Sequence, residues 1–470
     1  MNLNGNERVN MGYKWRALIL LWVAFFLQQG TRQIFGATLS SIQGSLGVGA
    51  AQIGMVATVF TFAYGLSVPF AGITADLFNR KWMVVSGVFV FCLGIFASGF
   101  VSGLGLLLVS YGLLNGFGQS FYYPSATSII GELHKETRAT ALSILQMGLY
   151  AGIIGCSAAS GYLAEGGADG WRVPFRLFGG IGIAWAVVLA FGLKGGNSIR
   201  KVAAATGSLG VSEKSEGNQP NSTCSACSTR LNENLQDSKT PSSESNKPSL
   251  REALGAFVGN PAALMLMAGL GMMIYVDVGF KTWMPTHLSE SFGVAKGSAA
   301  LNAVLWHYIG AFVGVTLGGR ISDRLAKRRP SVRMETNIAG LAIAVPFIVW
   351  MAYAPSLLVC GIAMALFGVF RGVYDSNLMA SLFDIIPQRY HASGAGLMLS
   401  CAFVFGSTSP VVLGLVKDAF SSTAALASLA AFYLVSAAII AVARMRQYGT
   451  HGTIETPKTS PSSRSSRLSR

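Results

Sequence analysis

Charge is scarce in this sequence. Asp, Glu, Lys and Arg make up 12% of its 470 residues, about half the share of a soluble chain. That deficit excludes a large water-facing globule. Acid is scarcer than base: 20 Asp and Glu stand against 35 Lys and Arg, for a net charge of +15. Histidine is rare too. His134, His287, His307, His391 and His451 show no metal-ligand spacing, so neither a zinc site nor a metal-dependent membrane enzyme is expected. Four of the six cysteines (Cys92, Cys156, Cys360, Cys401) fall in apolar segments, where a free thiol acts as a small hydrophobe. Cys224 and Cys227 form C-x-x-C, but no second pair or neighbouring His completes a tetrahedral site. No G-x-x-x-x-G-K loop is present, which argues against nucleotide-driven pumping. No cofactor is expected. The basic excess lies in short loops, a central polar stretch and the tail, without a basic face interleaved with aromatics. Nucleic acid is therefore not an expected partner.

What the chain has instead is apolar length. About half of it is hydrophobic and 56 residues are Gly, the residue that lets membrane helices pack closely. Twelve runs are long and apolar enough to cross a bilayer. Six lie in residues 16–194 and six in 261–443, behind a short N-terminal segment 1–15. The N-terminus is polar and the first apolar run, from Ala17, is of spanning length, so it reads as a retained helix rather than a cleaved leader. Residues 195–260 and 444–470 are rich in Ser, Asn and charge, bury too little to fold, and read as a largely disordered linker and tail. With the N-terminus inside, the inner connections hold Arg80, Lys81, Lys135, Arg138, Arg320, Arg324, Lys327, Arg328, Arg329, Arg333 and Arg389, against Arg172, Arg176, Lys296 and Lys417 outside. The excess of Lys and Arg places both termini in the cytoplasm, with the chain in the plasma (inner) membrane. The Asn221-Ser-Thr sequon sits in that cytoplasmic linker and is discounted as a glycosylation site.

Two inner loops repeat. Gly72-Ile-Thr-Ala-Asp76 is followed by Arg80 and Lys81, and Gly319-Arg-Ile-Ser-Asp323 by Arg324 and Lys327. Both read G-x-x-x-D and then a basic cluster, where a carboxylate and a base can pair and part as two halves move. A doubled loop of this kind on a twelve-span chain resembles the major facilitator superfamily, over residues 14–446. The resemblance implies an all-α integral membrane protein of two pseudo-symmetric six-helix bundles that works by alternating access, as an expected monomer. Within that family the chain is most similar to the organic-anion, anion:cation symporter and sugar-phosphate branches. Three stretches carry this: Gln28-Gln-Gly-Thr-Arg32-Gln33, Gly116-Phe-Gly-Gln119-Ser-Phe-Tyr-Tyr-Pro124, and Tyr275-Val-Asp277-Val-Gly-Phe-Lys281-Thr-Trp283. The family's fourth helix often has Glu where Gln119 stands, and its phosphate exchangers have Arg near Asp277.

An ionisable group at mid-membrane costs at least ~2.5–3.5 kcal/mol and faces a bundle interior or a water-filled cavity. Arg32, Asp277, Lys281, Arg371 and Asp375 are such groups, with His307 as a sixth titratable one. Arg32 has the planar fork that matches a carboxylate. Gln28 and Gln29 lie one turn earlier, and Lys281 lies at nearly the repeat-related position in the second half. Either the two cations contact an anion between the halves, or they snorkel to the outer headgroups. Asp277 with Lys281, and Arg371 with Asp375, are spaced i, i+4. Each is either a closed intrahelical pair or an acid that a substrate anion frees to take a proton. Asp277, Asp375 and His307 are thus the candidate proton-coupling groups. Asn115, Gln119, Tyr122 and Tyr123 follow the fourth helix, placed to bind substrate hydroxyls or to hydrogen-bond across helices, with Tyr64, Gln146, Tyr150, Tyr374 and Asn377 as weaker members.

The leading expectation is a secondary transporter of a small organic anion, a sugar acid or other carboxylate, coupled to protons. The alternatives are a sugar-phosphate exchanger, an exporter of drugs or metabolites, and a non-transporting sensor. Exporters of this family carry Gly-x-x-x-Gly-Pro in the fifth helix; here Gly148 and Gly152 are followed by Ile153.

Overall fold

A computed structural model describes residues 5–77, 79–134, 137–167, 169–194, 255, 259–326, 329, 331–387 and 391–449. Of the expected linker (195–260) only 255, 259 and 260 are described, its C-x-x-C and sequon lying outside; of the expected tail (444–470), residues 444–448 continue the last helix and those beyond 449 lie outside the described residues. The described chain is helical, with no strand among those residues. The first half holds helices Gly5–Leu46, Ala50–Leu77 and Arg80–Ser98, a composite fourth helix, then Arg138–Leu163 and Arg172–Gly192. The second half holds Pro261–Phe292, Lys296–Ala326, Val332–Ala352 and Leu357–Ile385. Its eleventh helix, His391–Gly406, resumes as Ser409–Ala419 after a short turn, and the twelfth is Ser422–Tyr448. These are called the first to twelfth helices below.

Local chemistry explains the helix starts. The Asn79, Asn260, Ser356 and Ser421 side chains accept from backbone N–H groups of the first turn, and Pro261 follows Asn260 at the first helical position. The fourth helix runs through Leu104–Leu107, a π-helical stretch Leu108–Asn115, and Gly116–Leu133 without leaving helical dihedrals. Its widened turn ends at Asn115, and such turns occur often at functional sites. Large apolar side chains such as Phe191, Phe312, Leu415 and Leu434 stand exposed. In a bundle whose solvent is lipid, that is where apolar surface belongs.

The two halves close on each other at one end. There the Lys296 ammonium donates to Ser41 Oγ at 2.7 Å, and Gly297 N–H donates to Glu165 Oε1 at 3.0 Å. Asp418, at the end of the eleventh helix, accepts from the backbone N–H groups of Ala50 (3.2 Å) and Ala51 (2.9 Å). It caps the second helix from the opposite half, and its charge suits that helix N-terminus. One apolar core runs through both halves at this end, including Ile42, Ile53 and Trp171 with Met284 and Leu288. Toward the other end the first half keeps a separate core around Leu21, Phe91 and Ile130. The two halves are therefore sealed against each other on the side of loops 47–49 and 293–295.

At the opposite end each half carries a matching ion pair. Arg80, opening the third helix, pairs with Glu132 near the end of the fourth. Arg333, near the start of the ninth, pairs with Asp384 at 2.9 Å and Asp323 at 3.3 Å. Lys81 lies over the Trp82 ring at 5.2 Å, Arg324 is exposed, and Gly319 sits close to Ser376 of the tenth helix. The side chains of Gly72 and Asp76 lie outside the described residues.

His134, just past the fourth helix, ties it to the first. Its Nε2 lies 3.1 Å from the Lys14 carbonyl, its Nδ1 lies 3.0 Å from Thr137 Oγ1, and Trp15 packs edge-on. Burial holds its imidazole below the usual 6.5, against the opposing pull of the Lys14 carbonyl. The unfolded chain then takes the proton first, so this stabilisation is full above pH 6.5 and is lost as pH falls toward the lowered folded value. Apparent melting temperature should drop between pH 7 and pH 5, with a shallower drop in His134→Gln. Identical slopes in the two proteins would refute this role.

Candidate functional site

Backbone contact sets the site. The first and seventh helices cross at Gly36, where a Cβ would lie 2.6 Å from the Lys281 carbonyl oxygen, so only Gly permits the crossing. The eighth and tenth helices interlock by glycines from both sides. Gly310 and Gly314 face the carbonyls of Ala365 and Val369, and Gly368 and Gly372 face those of His307 and Ala311. This brings His307 and Arg371 together.

Between the halves lies a cavity of about 90 Å³, counted as space open to the centre of a water molecule. Its walls come from both halves: Gln29, Arg32, Gln33, Phe60, Thr61, Tyr64 and Tyr111 on one side, Asp277, Lys281, Thr282 and Phe403 on the other. Arg32 is half-buried. Its Nε donates to Gln119 Oε1, while Gln119 Nε2 donates to Asn115 Oδ1 at 2.8 Å. Gln28 Nε2 donates to the Gln119 carbonyl at 2.6 Å. The guanidinium stacks over the Tyr64 ring at 4.2 Å, a cation–π contact. Its Nη2 is buried and has no partner among the described residues. Arg32 is thus held rigidly by neutral groups and keeps donor capacity for a ligand.

The second half contributes a charged chain. Lys281 Nζ lies 2.8 Å from Asp277 Oδ2. Arg371 Nη1 lies 2.9 Å from Asp277 Oδ1, an ion pair whose angle falls short of a hydrogen bond. The same Nη1 is 2.7 Å from His307 Nε2, and Nη2 is 3.6 Å from Asp375 Oδ2. The two i, i+4 pairs of the sequence are therefore one network, joined across helices by the Arg371–Asp277 contact. Arg371 has only donors, so His307 Nε2 must accept, and the ring is neutral with its proton on Nδ1. Phe280 and Phe367 pack on that ring.

The structure gathers Gln28, Gln29, Arg32, Asn115, Gln119, Asp277 and Lys281 at or directly behind the cavity wall, with Arg371, Asp375 and His307 in the network beyond. Trp283 goes elsewhere: it is buried, its indole N–H donating to the Pro410 carbonyl at 3.1 Å. Tyr122 is a packing residue whose hydroxyl donates to the Leu21 carbonyl. Tyr123 and Gln146 line a second cavity of about 380 Å³ between the fourth and fifth helices, with Thr127, Ser128 and Ser143. Tyr150 meets Tyr308 edge-on across the halves, and Asn377 donates to its own helix at Val373. Gln33, Thr61, Thr282 and the ring of Phe60 are cavity residues the sequence reading did not single out. Gln33 stands one turn beyond Gln29 and Thr282 beside Lys281, which is the signal that points to them.

Comparison with known proteins agrees with this architecture. A profile described as Major Facilitator Superfamily matches residues 21–410. The chain is 24% identical to a probable sulfoacetate transporter of Cupriavidus necator, over 85% of this chain and 87% of that one. It is 23% identical to a probable galactarate/D-glucarate transporter of Escherichia coli, over 87% and 88%. A crystal structure of a bacterial homologue of the human lysosomal transporter Spinster, inward-facing and unoccupied, superposes with a TM-score of 0.74 at 19% identity, covering 92% of this chain and 97% of that one.

Proposed function

The chain belongs to the major facilitator superfamily, and on that footing we propose that it carries a small organic anion, a sugar acid or other carboxylate, by alternating access with proton coupling. The observation that carries this is Arg32: a cation in the interhalf cavity, fixed by a neutral amide and an aromatic ring, with an unpartnered nitrogen. A carboxylate supplies the bidentate acceptor that a guanidinium fork lacks here. Lys281 on the facing wall adds a second cation, shared with Asp277. Gln29, Gln33, Thr61 and Thr282 offer hydrogen bonds to hydroxyls of the same ligand. The sulfoacetate and galactarate/glucarate relatives support an anionic cargo.

In this reading the sealed end is the outer one and both termini lie in the cytoplasm of a plasma-membrane protein that acts as a monomer. The cavity then loads from inside in the state described above. Asp277 and Asp375 couple the proton to the cargo, joined by Arg371, with His307 accepting from Arg371 behind them. A thermal-shift screen of the purified chain against sugar acids, dicarboxylates, sugar phosphates and neutral sugars tests the assignment. A ligand at 100 times its dissociation constant stabilises the fold by about 2.7 kcal/mol. Carboxylates should raise the melting temperature and neutral sugars should leave it unchanged. Stabilisation by neutral sugars alone would sink the proposal, and by phosphates alone would replace the carboxylate with a phosphate ester.

A further inference from the structure

We propose that the site is built to accept one net negative charge, so that the number of protons bound with a ligand equals its negative charge minus one. This rests on the anion reading above and adds the rule that sets its coupling.

Arg32 is the one ionised group that the described first-half residues bring to the cavity wall, and its partners Gln119 and Tyr64 are neutral. Gln119 matters here because an amide cannot titrate. A carboxylate at that place would cancel Arg32 and could itself take the proton. On the other side, Asp277 and Asp375 balance Lys281 and Arg371. His307 is neutral because its Nε2 accepts from Arg371. The described site therefore sums to +1. Net charge sealed inside a membrane is heavily penalised unless it is paired, and closing the cavity over a ligand seals it. A monoanion brings the sum to zero without help. A dianion leaves −1, and one proton restores zero.

The proton goes to Asp375. Asp277 is held by two cations, at 2.8 and 2.9 Å, whereas Asp375 has one contact at 3.6 Å, with Arg371. Protonating Asp375 gives up the least. The groups that face it are Arg371 and Tyr374 on its own helix, Asp277 and Lys281 from the seventh, Tyr433 from the twelfth and Tyr150 from the fifth. His307 and Tyr308 of the eighth stand behind these, close to Arg371 and Lys281.

Isothermal titration of the full chain in two buffers of different ionisation heat reads proton uptake directly. The ligands are a six-carbon aldonate (one charge) and the matching aldarate (two charges), at pH 7. The aldonate should bind with no proton and the aldarate with one. Gln119→Glu lowers the site charge by one, so the aldonate should now bring one proton. Asp375→Asn raises it by one, so the aldarate should bring none. Asp375→Glu should keep the aldarate's single proton and shift the carboxylic-acid carbonyl band in the infrared difference spectrum; an unshifted band would move the proton to Asp277 and overturn that assignment. Equal proton counts for the two ligands, or counts unmoved by Gln119→Glu and Asp375→Asn, overturn the charge rule while leaving the anion reading intact. Failure of both ligands to bind overturns the anion reading and the rule with it.

Discussion

Arg32→Ala should weaken carboxylate binding by about thirty-fold or more while the protein still folds in detergent. Truncating one partner of a buried, hydrogen-bonded charge pair costs about 2–5 kcal/mol, and each 1.4 kcal/mol is a factor of ten in affinity. The wild-type geometry supports the upper part of that range. Arg32 is oriented before the ligand arrives, by the Gln119 amide below and the Tyr64 ring above, so little rotamer entropy remains to be lost on binding.

The cost to folding should be small. Arg32 makes no ion pair among the described residues; its loss frees one amide oxygen at the wall of a cavity that can admit water, worth about 1 kcal/mol. Arg32→Lys separates charge from geometry. An ammonium keeps the charge and loses the fork, so binding should fall between wild type and Arg32→Ala. Titration calorimetry alongside melting curves distinguishes loss of site from loss of fold. Undiminished binding in Arg32→Ala would remove this residue from the site and, with it, the main support for an anionic cargo.

Much of the architecture was readable because membrane solvent leaves few options. Twelve apolar runs require twelve helices, and the polar stretch 195–260 divided them six and six, with the G-x-x-x-D loop repeated at matching places in each set. The paired ion pairs at the unsealed end were less visible. Arg80 with Glu132, and Arg333 with Asp384, occupy corresponding helix ends, but the second copy uses a different acid and a shifted base. The cavity cations were identified individually from their depth. Their connection was not, because sequence spacing displays i, i+4 neighbours and hides contacts between helices. Arg371 reaches His307 because glycines at 310, 314, 368 and 372 draw the eighth and tenth helices to backbone contact, and from there it meets Asp277 of the seventh. Trp283 shows the converse: an aromatic two residues from Lys281 lies on the other side of the helix, in the packing against Pro410.

That network is the basis of the second large effect. Arg371→Ala should destabilise the protein by about 3–5 kcal/mol, because removing one partner of a buried ion pair strands the rest. Asp375 would lose the one cation it contacts, His307 Nε2 its donor, and Asp277 one of its two cations. The remaining Lys281 still neutralises Asp277, so the uncompensated charge after the mutation is that of Asp375. Removing it as well should therefore restore stability: Arg371→Ala with Asp375→Ala should melt higher than Arg371→Ala alone, a coupling that a double-mutant cycle isolates. Arg371→Lys should fall between, keeping the charge but unable to span Asp277, Asp375 and His307 at once. If the double variant melts no higher than the single one, the loss in Arg371→Ala comes from packing in the tenth helix, and Arg371 is not the ionic link between the seventh and tenth helices.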